Sequence, residues 1–297
     1  MLLSYKQPIF MNGILNINKP KGITSAAVVA SIKKILNTKT VGHMGTLDPQ
    51  GEGVLLIGVG KGTKLFDYLL KKDKLYQADF EFGYETDTLD GDGKIVRACE
   101  IIPSLDELNS KIAGLLGKIS QMPPNYSAKS IDGVRAYKLA REGKEVVLKP
   151  SEVEVYDIKI IHSVPPVYKF LIHCSSGTYI RSICRDIAYA CNSLATMTSI
   201  SRLKSGKYLI EESITLEDLK IKKQTAIEGL DKTLSALSRY DLDISHKKQL
   251  DNGMTIPTSV LDENPKHPEF LLYCDNTLYG IAAHSDGYFK LKTYLKG

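Results

Sequence analysis

Tryptophan is absent and cysteine is scarce: the 297 residues hold five thiols, Cys99, Cys174, Cys184, Cys191 and Cys274, odd in number and nowhere spaced as CxxC. This argues against a disulfide framework and against a structural zinc site, leaving reduced, mostly packed thiols as the expectation. Long apolar runs are missing too. No stretch approaches the roughly 18 residues of a membrane span, and the opening MLLSYKQPIF has no apolar core of signal-peptide length, so the expected location is the cytosol. No fixed-period repeat or low-complexity tract is present, which sets aside solenoids and propellers. Charge of one sign is in short supply: 39 basic against 34 acidic residues leave +5, which permits a polyanionic partner without demanding one. What remains, 43% hydrophobic and 25% charged residues, is the composition of a globular protein with a sizeable core. Without indole, stacking on a ligand rests on 16 Tyr, 7 Phe and 6 His.

Residues 1–10 read as an extension ahead of a second methionine, Met11, where structured sequence begins. Residues 14–17 (ILNI) read as a short strand. KPKGITS at 19–25 is a Pro/Gly turn in which Thr24 or Ser25 can cap a helix, and Val28, Val29, Ile32, Ile35 and Leu36 then recur at helical spacing. Residues 42–53, GHMGTLDPQGEG, are too rich in glycine for regular structure and lead into an apolar run at 54–59 with the character of a buried strand. From Leu75 the period becomes two, with Tyr76, Ala78, Phe80 and Phe82 on one face and Gln77, Asp79 and Glu81 on the other. Residues 87–93 form a turn. Ser104 and Glu107 match a capping box, predicting a helix through Leu105, Leu108, Ile112, Leu115 and Ile119 that Pro123 and Pro124 end. Strands at 153–161 and 169–174 precede a helix with Ile180, Ile183 and Ile187 on one stripe, and short apolar runs such as 270–273 and 279–283 follow from about residue 240. The expectation is an α+β protein: a mixed, largely antiparallel sheet flanked by helices over residues 11–239, and a small β-rich domain over 240–297.

Several tempting motifs fail. In the acidic turn TLDGDG, Thr88 stands where the first ligand of a calcium loop belongs and Cys99 where its bidentate Glu belongs. GVGKGTK at 58–64 lacks the first glycine of a phosphate loop, since Leu55 is there, and its GxGxxG ends on Thr63. His162 and His173 read as satisfied, partly buried histidines.

The segment GHMGTLDPQGEGVL is more informative. Asp48 lies between Leu47 and Pro49, and the proline biases it toward extended backbone. Gly42, Gly45, Gly51 and Gly53 permit close approach of a ligand, while Thr46 and His43 put polar groups beside the acid. Two readings fit these residues alone: an acid capping a turn in a solvent loop, or a carboxylate presented to a ligand.

The rest of the chain separates them. GHMGTLDPQGEGVL closely resembles the central motif of the TruB family of tRNA pseudouridine synthases. The resemblance extends to KPKGITS (19–25), LYQADFEFGYETDTLDGDG (75–93), PPNYSAKSIDGVRAYKLAREG (123–143) and CSSGTYIRSICRD (174–186), in the family's order over about residues 11–210. It implies a pseudouridine synthase fold and an enzyme that cuts the glycosidic bond of a uridine, turns the base and rejoins it through C5. The implied substrate is the T-loop of tRNA, conventionally position 55. Such a redox-neutral isomerisation needs neither cofactor nor metal. Asp48 matches the family's nucleophile, and Arg181 the arginine that pairs with it, orients it and keeps it charged. Tyr76 matches the tyrosine that stacks on the target base and takes part in the C5 proton transfer; by pattern alone it is the first apolar-face residue of a strand. Tyr179 and Ile200 match positions lining the base pocket, the latter usually Leu. His43 matches a histidine that enters the RNA loop once the base has left its stack, next to Met44 where Thr or Gly is common. Lys19 and Pro20 match a motif that supports the catalytic loop, and the segment around LDNGMTIPT resembles a PUA-like domain that contacts the tRNA acceptor end.

A stacked uridine is out of Asp48's reach, so the base must be extruded and the RNA held by its backbone. Candidates are Lys129, Arg135, Lys138, Arg141 and Lys144, diluted by Glu142 and Glu145, and the later run Arg202, Lys204 and Lys207. A tRNA-binding folding factor with incidental catalysis is the competing reading. A guide-RNA-dependent subunit acting on rRNA is a third, disfavoured by the short chain and the lack of long basic extensions. No protein partner or membrane is implied, and a monomer is expected.

Overall fold

The computed structural model describes residues 11–127, 130–131, 134–135 and 148–296. In chain order the strands begin with β1 (Gly13–Lys19), β2 (Val41–His43), β3 (Glu52–Val59), β4 (Lys74–Phe82), β5 (Tyr84–Thr86), β6 (Ile95–Ala98) and β7 (Gly117–Gln121). A short ribbon, β8 (Ser130–Ile131) and β9 (Val134–Arg135), precedes the long hairpin β10 (Ser151–Val164) and β11 (Val167–Cys174). Then come β12 (Ala195–Ser205), β13 (Tyr208–Leu209) and β14 (Glu228–Gly229). The main sheet runs β14-β1-β3-β12-β4-β11-β10-β7, with β2 added to β3 and β13 to β12, and every pairing is antiparallel except β12 with β3. Helices α1 (Ser25–Leu36), α2 (Phe66–Leu70), α3 (Leu105–Ile112) and α4 (Ile180–Ala190) are interleaved with these strands.

Both faces of β3 are covered, which is why its sequence is a continuous apolar run. Leu55 and Ile57 join Leu15, Ile17, Val28, Ile32, Ile183 and Ile187 in the core on the helical side. Val54 and Leu56 join Ile14 and Met44 on the other side, where Leu271, Tyr273, Ile281 and Leu295 close the layer. The first three of these come from a five-stranded sheet, β15 (Arg239–Leu242), β16 (Ile256–Pro257), β17 (Glu269–Cys274), β18 (Thr277–Ser285) and β19 (Tyr288–Tyr294), in the order β15-β17-β18-β19-β16, and Leu295 directly follows β19. Its other face has a core of its own around Phe270, Tyr240 and Phe289.

Four readings need correction. The helix expected to reach Ile119 stops at Ile112: one 3-10 turn follows, Gly117 takes φ +85°, and Ile119 lies in β7 paired with Val153. Gly117 at positive φ ends the helical run at low cost. Ser104 accepts from the Glu107 N–H as expected, but the two-way box forms at Thr215 and Asp218. Residues 42–53 are irregular only between the end of β2 and the start of β3, because His43 pairs with Ile57 and Glu52 with Ser201. His162 is exposed near the tip of the β10–β11 hairpin, whereas His173 is half-buried and bonds Asp73 at 2.7 Å.

Candidate active site

Asp48 sits in the loop between β2 and β3, and that loop is pinned from beneath at almost every residue. The Lys19 ammonium, fully buried at the end of β1, donates to the carbonyls of Pro20 (3.0 Å), Pro49 (3.1 Å) and Gly51 (2.5 Å). Three donors meet three carbonyls. Burial pulls the Lys19 pKa down to about 8, against the opposing pull of Asp48 and Glu52. Ser25, the first residue of α1, donates from Oγ to the Leu47 carbonyl (2.9 Å) and accepts from the Leu47 N–H (3.0 Å). Thr24, one residue earlier, caps α1 by accepting from the Ala27 N–H. Adjacent hydroxyls thus hold different elements.

Arg202 completes the cradle from β12. It is 2% exposed, and donates from Nε to the Val54 carbonyl (2.7 Å) and from Nη1 toward the Thr46 carbonyl (3.4 Å). Gly53, at φ +96°, lets β12 approach: a Cβ there would lie 2.4 Å from the Arg202 carbonyl oxygen. Arg202 was expected among the surface contacts to RNA, and this is corrected: a guanidinium buried under the loop holds carbonyls and cannot reach a phosphate. Its run gives little free charge elsewhere, since Lys204 pairs with Asp73 at 3.2 Å and Lys207 with Glu228 at 3.0 Å. Lys129, Lys138, Arg141 and Lys144 lie outside the described residues, as does the side chain of Arg135.

On the other side of Asp48 stands Arg181, in the first turn of α4. Its Nη2 is 2.9 Å from Asp48 Oδ2, with the Arg181 side chain 7% exposed and that of Asp48 43% exposed. The carboxylate therefore keeps an open side while its cation is enclosed. Three further oxygens hold the guanidinium: the Asp90 carboxylate (3.2 Å) and the carbonyls of Thr88 (3.0 Å) and Tyr126 (3.0 Å). Asp90 and Thr88 belong to the turn that the sequence offered only as a turn. That turn is tied to β12 by Gly91 N–H to the Met197 carbonyl and Met197 N–H to the Leu89 carbonyl, with Leu89 held at φ +62°. A left-handed leucine costs on the order of 1–3 kcal/mol, so the pairing of Asp90 with Met197 in register is what maintains it.

Tyr76 is buried on β4, opposite Arg202 in register. Burial raises its phenol pKa, Arg202 opposes the shift and Asp48 adds to it. Ile200 packs against the Asp48 turn, its Cγ2 3.4 Å from where a Gly51 Cβ would stand. Tyr179 immediately precedes α4, two residues before Arg181. His43 is half-buried on β2, and burial lowers its pKa, with Arg202 contributing in the same direction. Pro20 provides one of the carbonyls on Lys19. Asp48, Arg181, Tyr76, Ile200 and Lys19 thus meet around one loop.

Four cysteines are buried, and burial pushes the Cys174 thiol up to about 11 and that of Cys184 well up. Among the described residues no group of three or more His, Cys, Asp or Glu is placed to hold a metal ion. No helix among them is long and apolar enough to cross a membrane.

The mixed main sheet and the second five-stranded sheet carry the pseudouridine synthase fold, and on it Asp48 stands on a pinned loop backed by an enclosed arginine. The comparisons agree. Residues 33–180 match the TruB family pseudouridylate synthase (N terminal domain). The chain is 41% identical over 288 residues to tRNA pseudouridine synthase B of Clostridium novyi (strain NT), covering 96% of this chain and 100% of that one. Over 221 residues it is 43% identical to the protein of the same name from Borreliella burgdorferi (strain ZS7), covering 74% of this chain and 78% of the relative. A solved structure titled "Structure of H/ACA RNP bound to a substrate RNA containing 2'-deoxyuridine" shares the fold, with a TM-score of 0.72, 22% identity, and coverage of 98% and 88% of the two chains. The chain belongs to the TruB family. The curled five-stranded sheet fits the PUA-like domain expected from the sequence.

Proposed function

We propose that this protein isomerises uridine to pseudouridine in the T-loop of tRNA, at position 55, with Asp48 as nucleophile, Arg181 as its orienting cation and Tyr76 against the flipped base. The observation that carries this reading is the 2.9 Å Asp48–Arg181 pair on a loop pinned by Lys19, Ser25 and Arg202. The C1′–N1 bond breaks, the base turns, C1′ bonds to C5, the C5 proton leaves and N1 regains a proton. No electrons are exchanged. Asp48 acts either on C1′ or by assisting a glycal route, and in both its carboxylate must be open to the substrate, which its half-exposed side chain allows. Extrusion of the uridine costs a few kcal/mol, offset by stacking and hydrogen bonds in the pocket. Tyr179, Ile200 and His43 serve as the binding residues, and Lys19 and Pro20 as the loop support.

We take residues 11–239 as the catalytic domain and 240–297 as the PUA-like domain, working as a monomer in the cytoplasm. Lys204 and the basic residues between 129 and 144 remain the backbone contacts on this reading. The test is incubation of the purified chain with an unmodified tRNA transcript, with no guide RNA and no second protein. Conversion of a single T-loop uridine is expected. Conversion only when a guide RNA is added would move the assignment to the guide-dependent class.

A further inference from the structure

One buried polar side chain next to the site has no part in the chemistry above. Gln121, at the end of β7, is 1% exposed. Its carboxamide grips Tyr179 at both backbone groups: Oε1 accepts from the Tyr179 N–H at 2.8 Å, and Nε2 donates to the Tyr179 carbonyl at 3.2 Å. Tyr179 is the residue at which α4 starts, and its side chain makes no capping bond. The residues after Gln121 continue along the same helix. The Met122 carbonyl accepts from Ser182 Oγ (2.8 Å) and Arg185 Nη2 (3.0 Å), and the Tyr126 carbonyl from Arg181 Nη2 (3.0 Å). These other contacts each fix one distance, whereas a two-point grip on a single residue also fixes its rotation.

We propose that Gln121 is a positioning residue for catalysis: it sets the orientation in which α4 begins and through it the aim of Tyr179 and of the Arg181 guanidinium at Asp48. The proposal rests on the site reading given above. Arg181 lies two residues from the gripped backbone and extends a long side chain to Asp48, so a small rotation at Tyr179 is magnified at the guanidinium. A misplacement of about 1 Å at such a group costs about 10²-fold in rate.

Two variants test it in the full chain with unmodified tRNA transcript. Gln121→Met keeps the volume and loses both bonds; single-turnover pseudouridine formation is expected to fall roughly 10- to 100-fold, with tRNA Kd within about twofold of wild type. Gln121→Glu keeps the acceptor but sets a carboxylate oxygen against the Tyr179 carbonyl, and only its protonated form can donate there. Its rate relative to wild type should therefore recover as pH falls through the range where a buried carboxyl protonates, a profile that a general loss of packing does not produce. The pH profile carries the test if Gln121→Met does not fold. Asp48→Asn run alongside separates the two levels. With Asp48→Asn inactive, a folded Gln121→Met within twofold of wild type in rate, a loss confined to Kd, or a flat Gln121→Glu profile overturns the positioning role alone. Full turnover by Asp48→Asn overturns the site reading and the positioning role with it.

Discussion

The neighbouring hydroxyls of Thr24 and Ser25 make predictions of different size from one turn of chain. Thr24 Oγ1 accepts from the Ala27 N–H at 3.0 Å and caps α1. Replacing such a cap with Ala costs about 1 kcal/mol. Ser25 is 2% exposed and satisfies both backbone groups of Leu47, at 2.9 and 3.0 Å. Ser25→Ala leaves a buried N–H and a buried C=O unpaired, at about 1–3 kcal/mol each, or roughly 2–6 kcal/mol together. In melting temperature, at about 2–4 °C per kcal/mol, that is roughly 4–24 °C for Ser25→Ala against roughly 2–4 °C for Thr24→Ala. The activities should diverge further. Leu47 precedes Asp48, so losing its anchor lets the carboxylate drift from Arg181, and a shift of about 1 Å is worth about 10²-fold. The assay is thermal denaturation followed by circular dichroism, with single-turnover pseudouridine formation measured well below both transitions. A Ser25→Ala rate within twofold of wild type, or equal destabilisation by the two variants, would refute the assignment of Ser25 to the catalytic loop.

Arg181→Lys keeps the charge but cannot serve two carboxylates and two carbonyls with three donors on one nitrogen; turnover should fall at least about 10²-fold with tRNA binding retained. Filter binding beside a rate assay checks this, and full turnover by the lysine variant would contradict it. The Lys19 pKa, down to about 8 through burial, predicts an alkaline limb. As pH rises through about 8 the neutral amine has two donors for three carbonyls, the loop loosens and kcat falls. Stability has the opposite sign: the folded pKa lies below the unfolded value, so the unfolded chain binds more protons between about 8 and 10.5, and this group's contribution improves as pH rises there. Activity should thus be lost without a matching loss of melting temperature. Lys74 also has its pKa lowered to about 8 by burial, but its ammonium donates to Leu70 and Lys72 away from the loop, so Lys74→Met should keep the limb.

The periodic segments were readable from the chain because burial imposes its period on them. The alternation of β4 is repeated residue by residue in its burial, and the apolar stripe of α4 packs as its spacing requires. The helix after Ser104 is overrun because Leu115 and Ile119 continue a helical spacing while Gly117, at positive φ, breaks the backbone beneath it. At the site, Asp48, Arg181, Tyr76 and Lys19 were named from motif resemblance and are found around one loop. Arg202 and Ser25 were assigned other tasks, since burial of a guanidinium or a serine leaves no mark on local spacing. A hydroxyl doublet in which Thr24 alone suffices as a cap is the one signal that Ser25 was free for something else. Asp90 and Gln121 act over 91 and 58 residues of separation, toward Arg181 and Tyr179, and such long-range pairings are set by topology.

The most direct measurement is tritium release from C5-labelled uridine in an unmodified tRNA transcript, with wild type and Asp48→Asn side by side and tRNA binding measured on both. Release by wild type at the T-loop, with none from Asp48→Asn and equal binding, is the expected result. Release by Asp48→Asn at the wild-type rate would contradict the nucleophile assignment, and tight binding without release by wild type would turn the account to a folding factor built on a synthase frame.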